Sequence, residues 1–326
     1  MSDNITNLDN AEVIDETVAK DATVTETAQA RGMKAKDMQQ VSTKDKVIKI
    51  TVQVLLYTFL GIMALIVLFP FYFMLISSVK TVDEYQLAVP TLFPEFFDWH
   101  NYVEVFENPD LELAILFGNT VYVGIVSTIL SLVITVISAF AFARLEFKGK
   151  NALFAALLAT MMIPGELFTI TNYSTVYNFG WMNTYTVLIV PFLVSVFYIY
   201  LLRQNFLQIP NELYLAAKVD GTSDLKYLWR VMIPLALPSL ISITILKMMG
   251  AWNSYMWPNL VTKKTAEKNL QLITNGLRNA FTDASGVTDI PAQMAAVALV
   301  SLPLFLVFIF LRKYIMKGVS RSGIKG

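Results

Sequence analysis

The chain has 326 residues, of which 55% are hydrophobic and 15% are charged, and its formal net charge is zero. Soluble globular domains are about one-quarter charged, so this composition, with its apolar residues clustered in long runs, favours a membrane protein. The sequence has no cysteine and a single histidine, His100. These counts exclude disulfides, thiolate metal sites, and catalysis by a histidine pair or a histidine metal cluster.

Residues 1–43 differ from the rest of the chain in being rich in Asp, Glu, Thr and Ala and poor in aromatic residues. Such a segment cannot bury a core, so a disordered tail is predicted, with either no role beyond solvation or a regulatory docking role. A signal peptide is not expected, because the first apolar run begins near residue 50, is too long for a signal-peptide core and follows an acidic segment.

Six apolar stretches follow the tail, each suited to a helix of about 20 residues that crosses a bilayer with its backbone amides satisfied internally. They are Thr51–Ile76, Val121–Ala143, Ala152–Thr171, Tyr185–Leu202, Leu235–Trp257 and Gln293–Leu311. Pro164 and Pro238 fall within the third and fifth stretches and predict kinks there. The predicted fold is an all-α membrane protein with a six-helix transmembrane domain at residues 44–316.

Lysine and arginine are distributed unevenly between the two sides of this predicted bundle. One side carries basic residues before the first span, after the second and fourth spans, and in the tail at 317–326; examples are Lys46, Arg144, Lys148, Lys218, Arg230, Arg312 and Lys317. The other side has an acidic first loop, an uncharged second loop and a shorter basic cluster in the third. The positive-inside rule therefore predicts a multi-pass cell-membrane protein with both termini in the cytoplasm.

The connection between the fourth and fifth spans, residues 208–234, predicts two short helices joined by a sharp bend. Pro210 and Asn211 suit a helix start, with Asn211 as the cap, and Glu212 adds favourable charge to the first turn. The helix is expected to end near Val219 at Asp220-Gly221, where glycine accepts a positive φ, and Thr222 or Ser223 can cap the next helix. We call this pair of helices and the bend between them, within residues 208–234, the elbow. From its residues alone, the elbow suits either an amphipathic helix on the bilayer surface or a knob that inserts into a groove of a partner protein.

The elbow resembles the EAA loop of ATP-binding-cassette (ABC) importer permeases, in which Glu-Ala-Ala is followed by three residues, a glycine and later a proline. Ala216, Ala217 and Gly221 match the motif, but Leu215 stands at the glutamate position, so the family's salt bridge to the ATPase is not carried over. Glu212, one turn earlier, replaces that glutamate only in part. The resemblance implies an ATPase-coupling surface that comprises Glu212, Leu215, Ala216, Ala217, Asp220 and Gly221.

The similarity extends over almost the whole chain from about Leu55 and is strongest to carbohydrate-importer permeases of the maltose type. It is carried by Ser77–Lys80, Leu92–Pro94, Asn101-Tyr102, Ala139–Arg144, Met162–Pro164, Asn183–Tyr185, Trp252-Asn253 and the basic end at Gly323–Gly326. The resemblance implies a type I ABC importer permease architecture. It also implies a second permease subunit, in a heterodimer, two ABC ATPase subunits, and an extracytoplasmic solute-binding protein that docks on Asp83–Leu113 and Asn259–Ile290.

Ionisable residues within spans are costly and commonly functional, which singles out Lys247 and Glu166. They could form a pair that lines a substrate pathway, a structural ion pair, or two side chains that reach the headgroups. Trp252, Asn253 and Tyr255 near the outer end of the fifth span could contact a sugar or belong to an interfacial aromatic belt. These five residues are the candidate pathway.

The expected function is that of a permease subunit of an ATP-driven, binding-protein-dependent importer of sugars or oligosaccharides. The sequence has no G-x-x-x-x-G-K-[ST] motif and no catalytic or metal constellation, so no enzyme activity and no cofactor are expected in this chain; ATP and Mg would bind the partner ATPase. Import of glycerol-3-phosphate or a related polyol is the alternative, because Lys247 could meet an anion. An ion-coupled secondary transporter is a different class, but no inverted repeat is visible. A nucleic-acid partner is not expected.

Overall fold

The computed structural model describes residues 43–109, 111–266, 268–281 and 288–320, with the side chains at 43–46, 279 and 313–320 left out. The predicted tail at 1–42, the end at 321–326, and parts of both predicted docking loops (residue 110, residue 267 and residues 282–287) lie outside the described residues. The regular elements within the description are helices, and an isolated antiparallel bridge joins Lys264 to Asn269.

The described part of the chain divides into two units, one that ends at Phe71 and one that begins at Tyr72. The described part of the first unit belongs to helix α1, Thr43–Ser77, which contains the predicted first span and continues through Pro70. Every side chain from Val47 to Phe71 is exposed. A helix that is apolar all round and exposed suits an apolar surrounding such as lipid or a partner helix.

The second unit begins with α2 (Val82–Tyr85), α3 (His100–Glu107), α4 (Leu113–Arg144), α5 (Lys150–Thr160), a 3₁₀ turn at Gly165–Phe168, and α6 (Thr169–Asn178). It continues with α7 (Tyr185–Ile189), a 3₁₀ turn at Val190–Phe192, α8 (Val196–Leu207), α9 (Asn211–Val219) and α10 (Asp224–Tyr227). A π-helical turn at Leu228–Met232 leads to α11 (Ile233–Leu235), α12 (Leu237–Trp252), α13 (Met256–Val261), α14 (Ile273–Asn279) and α15 (Ile290–Ser320).

Membrane-crossing segments fall into two kinds in the described part of the chain. Three helices are long and apolar enough to cross a membrane unbroken: Val47–Ser77, Leu113–Arg144 and Ile290–Arg312. Three further pairs meet the same test only as bent units, with bends of 85° after Thr160, 45° before Val196 and 81° before Leu237. By length and composition this makes up to six spans, and the predicted all-α membrane fold is confirmed.

The third and fifth spans bend sharply close to Pro164 and Pro238, as predicted, but each bend is an interruption between two helices and not a kink within one helix. Helix α5 stops at Thr160, and Pro164 has an extended ψ of 130° ahead of the 3₁₀ turn. A proline disfavours helical backbone before it and cannot donate to the preceding turn. Pro238 lies in the first turn of α12, where its missing N–H costs no helical bond, and the break falls at Ala236.

Helix α4 is the centre of the second unit and packs along both α8 and α12. Its last turns enter a buried cluster that joins the ends of α4 and α8 to the segment after the elbow: Ala139, Phe140, Leu202, Phe206, Tyr227, Leu228, Met232 and Ala236. Tyr227, Phe206 and Met232 are each at most 1% exposed. The elbow between α9 and α10 is therefore anchored on a tightly packed core.

Candidate functional site

Helix α9 begins and ends where the sequence predicts, from Asn211 to Val219, but its cap differs. The N-cap residue is Pro210, and no side chain caps the helix. The amide oxygen of Asn211 instead accepts a hydrogen bond from Nη1 of Arg144 at 3.4 Å, so the predicted capping role of Asn211 is wrong. Glu212 lies in the first turn as expected.

The bend after α9 is a complete Schellman motif centred on Gly221. The N–H of Thr222 donates to the carbonyl of Ala217 at 2.8 Å, and the N–H of Gly221 donates to that of Lys218 at 3.0 Å. Gly221 has φ +67°, which confirms the predicted positive φ. A Cβ built on Gly221 would meet no atom within 4 Å, so the glycine is needed for its backbone conformation and not for space.

A polar brace closes the bend. Ser223 caps α10 through its hydroxyl, one of the two predicted caps. The hydroxyl of Tyr214 donates to Oδ1 of Asp224 at 2.7 Å, and Nζ of Lys218 lies 2.7 Å from the same oxygen. The hydrogen bond to Asp224 raises the pKa of Lys218, and burial together with that carboxylate raises the pKa of Tyr214. The exposed ion pair adds little stability by itself, so its main effect is to fix the angle between α9 and α10.

Arg144, the last residue of α4, ties the elbow to the spans. Its side chain is 8% exposed, and Nη2 donates to the carbonyls of Phe206 at 3.0 Å and Ile209 at 2.5 Å. A second arginine makes the reverse contact, because Nε of Arg203 in α8 donates to the carbonyl of Phe142 at 3.0 Å. The ends of α4 and α8 are thus cross-linked immediately before α9 begins.

The outward face of α9 carries almost no charge. Glu212, Leu215, Ala216 and Val219 are all exposed and share the i, i+3, i+4, i+7 spacing of one helix face. Tyr214 and Ala217, on the opposite face, pack against the core. Leu215 is 55% exposed and Val219 88% exposed, so the elbow presents aliphatic side chains with Glu212 as the acid of this face.

A pocket of about 290 Å³ lies between the unbroken helix α4 and residues of the bent fourth and fifth spans, with Lys247 on its wall. It is lined by Val123, Ser127, Leu188, Phe192, Tyr198, Lys247, Gly250, Ala251, Ser254, Trp257, Pro258 and Leu272. Nζ of Lys247 donates to the carbonyl of Phe192 at 2.6 Å, and the indole N–H of Trp257 donates to the carbonyl of Val187 at 2.9 Å. The Trp257 and Phe192 rings meet edge to face, with centroids 5.8 Å apart.

The other candidate pathway residues lie apart from this pocket lining. Glu166 is exposed in the 3₁₀ turn, and no ion pair among the described residues joins it to Lys247. Trp252 is buried and packs edge to face on Phe117 at 5.4 Å. Asn253 is exposed at the end of α12, and the hydroxyl of Tyr255 accepts a hydrogen bond from Arg278.

Of the twelve lining residues, sequence reasoning named only Lys247, and it missed the polar and aromatic ones at Ser127, Tyr198, Ser254 and Trp257. One signal was present: Lys247, Gly250, Ala251 and Ser254 have the spacing of a single helix face. Ser127 and Tyr198 come from distant spans, so their place in the pocket depends on helix packing that no local pattern shows.

A buried polar network holds the loop after α1. Nζ of Lys80 donates to the carbonyl of Thr91 at 2.5 Å and lies 3.7 Å from Oε1 of Glu84. The hydroxyl of Thr91 donates to the same carboxylate, and the amide of Asn101 donates to the carbonyl of Lys80 at 2.8 Å. Lys80 is 1% exposed, and the Asn101 amide also donates to the carbonyl of Ser78 at 3.1 Å, so two resemblance motifs, Ser77–Lys80 and Asn101-Tyr102, meet in one buried cluster.

Three unbroken and three bent apolar spans, with a braced elbow before the last bent one, are the architecture of a multi-pass membrane protein. The chain belongs to the family described as "Binding-protein-dependent transport system inner membrane component", whose model matches residues 32–321. The recognition from the elbow motif is thereby confirmed.

The chain aligns with nearly the full length of the curated relatives that it resembles. The chain is 30% identical over 265 residues to the arabinooligosaccharides transport system permease protein AraQ of Halalkalibacterium halodurans, covering 81% of this chain and 93% of AraQ. It is 28% identical to the inner membrane ABC transporter permease protein YcjP of Escherichia coli, covering 83% and 95%. It is 26% identical to the sn-glycerol-3-phosphate transport system permease protein UgpE of Pectobacterium atrosepticum, covering 80% and 93%.

The fold matches that of a solved importer chain. A chain from the crystal structure of a bacterial ABC transporter involved in import of the acidic polysaccharide alginate superposes with a TM-score of 0.71 at 24% identity. The match covers 84% of this chain and 98% of that chain. At this identity the likeness confirms the permease fold.

Proposed function

We propose that this chain is a permease subunit of an ATP-driven importer of sugars or oligosaccharides and that it transmits work done by a separate ATPase without hydrolysing ATP itself. The observation that carries the proposal is the elbow, whose exposed stripe at Glu212, Leu215, Ala216 and Val219 is fixed to α4 and α8 through Arg144. Asp220 and Gly221 complete this coupling surface by forming the bend.

Rigidity of the elbow supports the lever role. The Schellman bonds, the contacts of Tyr214 and Lys218 with Asp224, and the Arg144 hydrogen bonds join α9, α10, α4 and α8. A displacement of α9 by closure of an ATPase dimer would therefore move the attached spans as one body and alternate access to the pathway. ATP and Mg would bind the ATPase.

Partners and orientation follow from the same proposal. We expect a heterodimer with a second permease, two ABC ATPase subunits on the cytoplasmic face, and a solute-binding protein on the loops Asp83–Leu113 and Asn259–Ile290. Both termini would be cytoplasmic, in agreement with the lysine and arginine distribution. The segment 317–326 would face the ATPases or solvent.

Sugars or oligosaccharides are the first candidate substrates, because the relative AraQ is a permease protein of an arabinooligosaccharides transport system. Import of glycerol-3-phosphate is the second candidate, favoured by the similarity to UgpE and by the cation of Lys247 at the pocket. Glu166, Trp252, Asn253 and Tyr255 remain proposed pathway residues alongside Lys247.

Co-purification tests the proposal. Affinity-tagged full-length chain extracted from its own membrane should bring down two ATPase copies and a second permease, and the complex should hydrolyse ATP faster when a liganded binding protein is added. A chain that purifies alone and moves solute into liposomes without nucleotide would contradict the proposal and point to a secondary transporter.

A further inference from the structure

The Lys247 pocket combines a cation with hydroxyls and fixed aromatic rings, and this combination specifies a ligand class. Among the described residues that line the pocket, Lys247 alone is charged. The ion pairs between described residues are Lys80–Glu84, Lys218–Asp224 and Lys264–Glu112, so no carboxylate of the described chain neutralises Lys247. A charge in a membrane span without a counter-charge is costly.

The partner that Lys247 has is a neutral carbonyl at a helix break. Phe192 ends the 3₁₀ turn at Val190–Phe192, where the fourth span bends by 45°, and carbonyls at such ends lack a following helical donor. The 2.6 Å bond from Nζ satisfies one donor of the ammonium and leaves its charge uncompensated. An anion entering the pocket would supply that compensation.

The rest of the lining suits a polyhydroxylated molecule. Ser127, Tyr198 and Ser254 contribute hydroxyl groups. The Trp257 indole is held by its bond to the Val187 carbonyl and by its contact with Phe192, so an aromatic surface is already in place. Concave sites with aromatic walls and a few placed polar groups are the usual form of small-molecule sites, and a volume of about 290 Å³ is at their lower end.

We propose that this pocket binds the anionic unit of a polyhydroxylated substrate, with Lys247 as the residue that pairs with its negative charge. The anion is either the carboxylate of a uronate unit in an oligosaccharide or the phosphate of a phosphorylated polyol. The inference rests on the proposed importer function and narrows its substrate class. The Phe192 carbonyl holds the ammonium at the pocket wall, where an anion could pair with it.

Equilibrium binding to the importer complex in lipid nanodiscs tests this assignment. The probes are trigalacturonate for the carboxylate, glycerol-3-phosphate for the phosphate, and neutral galactotriose, with quenching of tryptophan fluorescence as the readout. Wild type should bind at least one anionic probe about tenfold tighter than the neutral trisaccharide, as expected for a hydrogen bond to a charged group. Lys247→Met should abolish this preference, and Lys247→Arg should keep most of it.

Lys148→Met is the matched control, because it removes the same charge from an exposed lysine that does not line the pocket. The chain has no cysteine, so Lys247→Cys can be modified by a reagent that restores an ethylammonium group. Recovery of anion preference after modification supports the assignment even if Lys247→Met is poorly folded. The two anionic probes identify the source of the charge.

Equal binding of neutral and anionic probes, or anion preference that survives Lys247→Met, would overturn the inference. Neither result would touch the importer function, which depends on ATPase co-purification. Failure to co-purify ATPase subunits, with the anion preference intact, would instead contradict the importer function and leave the pocket assignment standing. The two failures are therefore distinguishable.

Discussion

The guanidinium of Arg144 donates to the carbonyl of Ile209 at 2.5 Å and thereby links the last residue of α4 to the residue just before Pro210, where the elbow begins. The same nitrogen also donates to the carbonyl of Phe206. The two carbonyls lie at and just after the end of α8, where helical acceptors lack the full set of backbone donors; that of Phe206 also accepts the N–H of Ile209 at 3.3 Å. Arg144, at the end of α4, therefore supplies hydrogen-bond donors to carbonyls at the end of α8 and fixes the position from which the elbow starts.

Replacement of Arg144 by lysine should weaken this base although the charge is kept. A lysine has one ammonium and cannot reproduce the planar fork that reaches two carbonyls and Asn211. We expect a loss of about 1–3 kcal/mol in stability, because a lysine cannot keep both of the hydrogen bonds that the guanidinium makes to the Phe206 and Ile209 carbonyls. Thermal unfolding of the purified complex and the ratio of solute transported to ATP hydrolysed would measure it.

Lys148→Met is the control for Arg144→Lys, since Lys148 is an exposed basic residue in the same connection. It should leave both the unfolding temperature and the transport ratio unchanged. Unaltered coupling in Arg144→Lys would show that the guanidinium contacts do not position the elbow.

Gly221→Val should disrupt coupling or assembly through backbone strain alone. The residue has φ +67°, and a left-handed conformation costs a residue with a side chain about 1–2 kcal/mol. Gly221→Asn should be tolerated better, because asparagine enters this region more readily. Uptake by cells, normalised to the amount of chain in the membrane, would rank the three proteins.

Gly118→Val supplies the matched control, because a Cβ at Gly118 also meets no atom within 4 Å and its φ is not positive. It should behave like wild type. Full uptake by the Gly221→Val protein at normal expression would refute the requirement for a positive φ at the bend.

The elbow could be predicted from sequence because its determinants are local. The bounds of α9, the bend at Asp220-Gly221 and the Ser223 cap follow from residues within one or two turns of each other. The apolar spans were equally accessible from composition, since about 20 apolar residues satisfy the bilayer thickness. The Asn211 cap was wrong because Arg144, which is 67 residues away, takes its side chain.

Contacts between distant spans and the form of the breaks could not be predicted. A hydropathy window scores the residues around Pro164 as one apolar stretch, although the chain turns by 85° there. Pocket residues such as Ser127, Tyr198 and Lys247 converge from three different helices, so their grouping depends on how those helices pack. The Lys80–Glu84 network has the same origin, because Thr91 reaches it from the following loop and Asn101 from α3.

Single-cysteine labelling should report both the sidedness and the cover of the elbow. The chain has no native cysteine, and Leu215 is 55% exposed, so Leu215→Cys is a clean probe. We expect a membrane-impermeant maleimide to label it only from the cytoplasmic side and only after the ATPase subunits are stripped. Lys263→Cys, on an exposed loop of the opposite predicted side, should be labelled from outside and be indifferent to stripping. Labelling of Leu215→Cys in intact cells would contradict the orientation.

Acid should loosen the loop after α1 through Glu84. Burial raises the pKa of this carboxyl, but the Thr91 hydroxyl, the backbone N–H groups of Glu95 and Phe96 and the Lys80 ammonium together hold the pKa below the ordinary value of 4.5. A carboxyl with a lower pKa in the folded state stabilises the fold above its unfolded pKa, and this contribution is lost as the pH falls through the folded pKa. The loss is therefore expected below pH 4.5.

Glu84→Gln keeps the shape of the side chain but cannot titrate, so its unfolding temperature should be lower than that of wild type at neutral pH and should change less as the pH is lowered. Asp83→Asn changes the neighbouring exposed carboxyl and should retain the acid sensitivity of wild type. Unfolding temperatures measured from pH 7 downward would decide the matter. If Glu84→Gln and wild type lost stability in parallel as the pH fell, Glu84 would not be the source of the acid response. Protonation of Glu84 would then leave the contribution of its contacts with Thr91 and Lys80 unchanged.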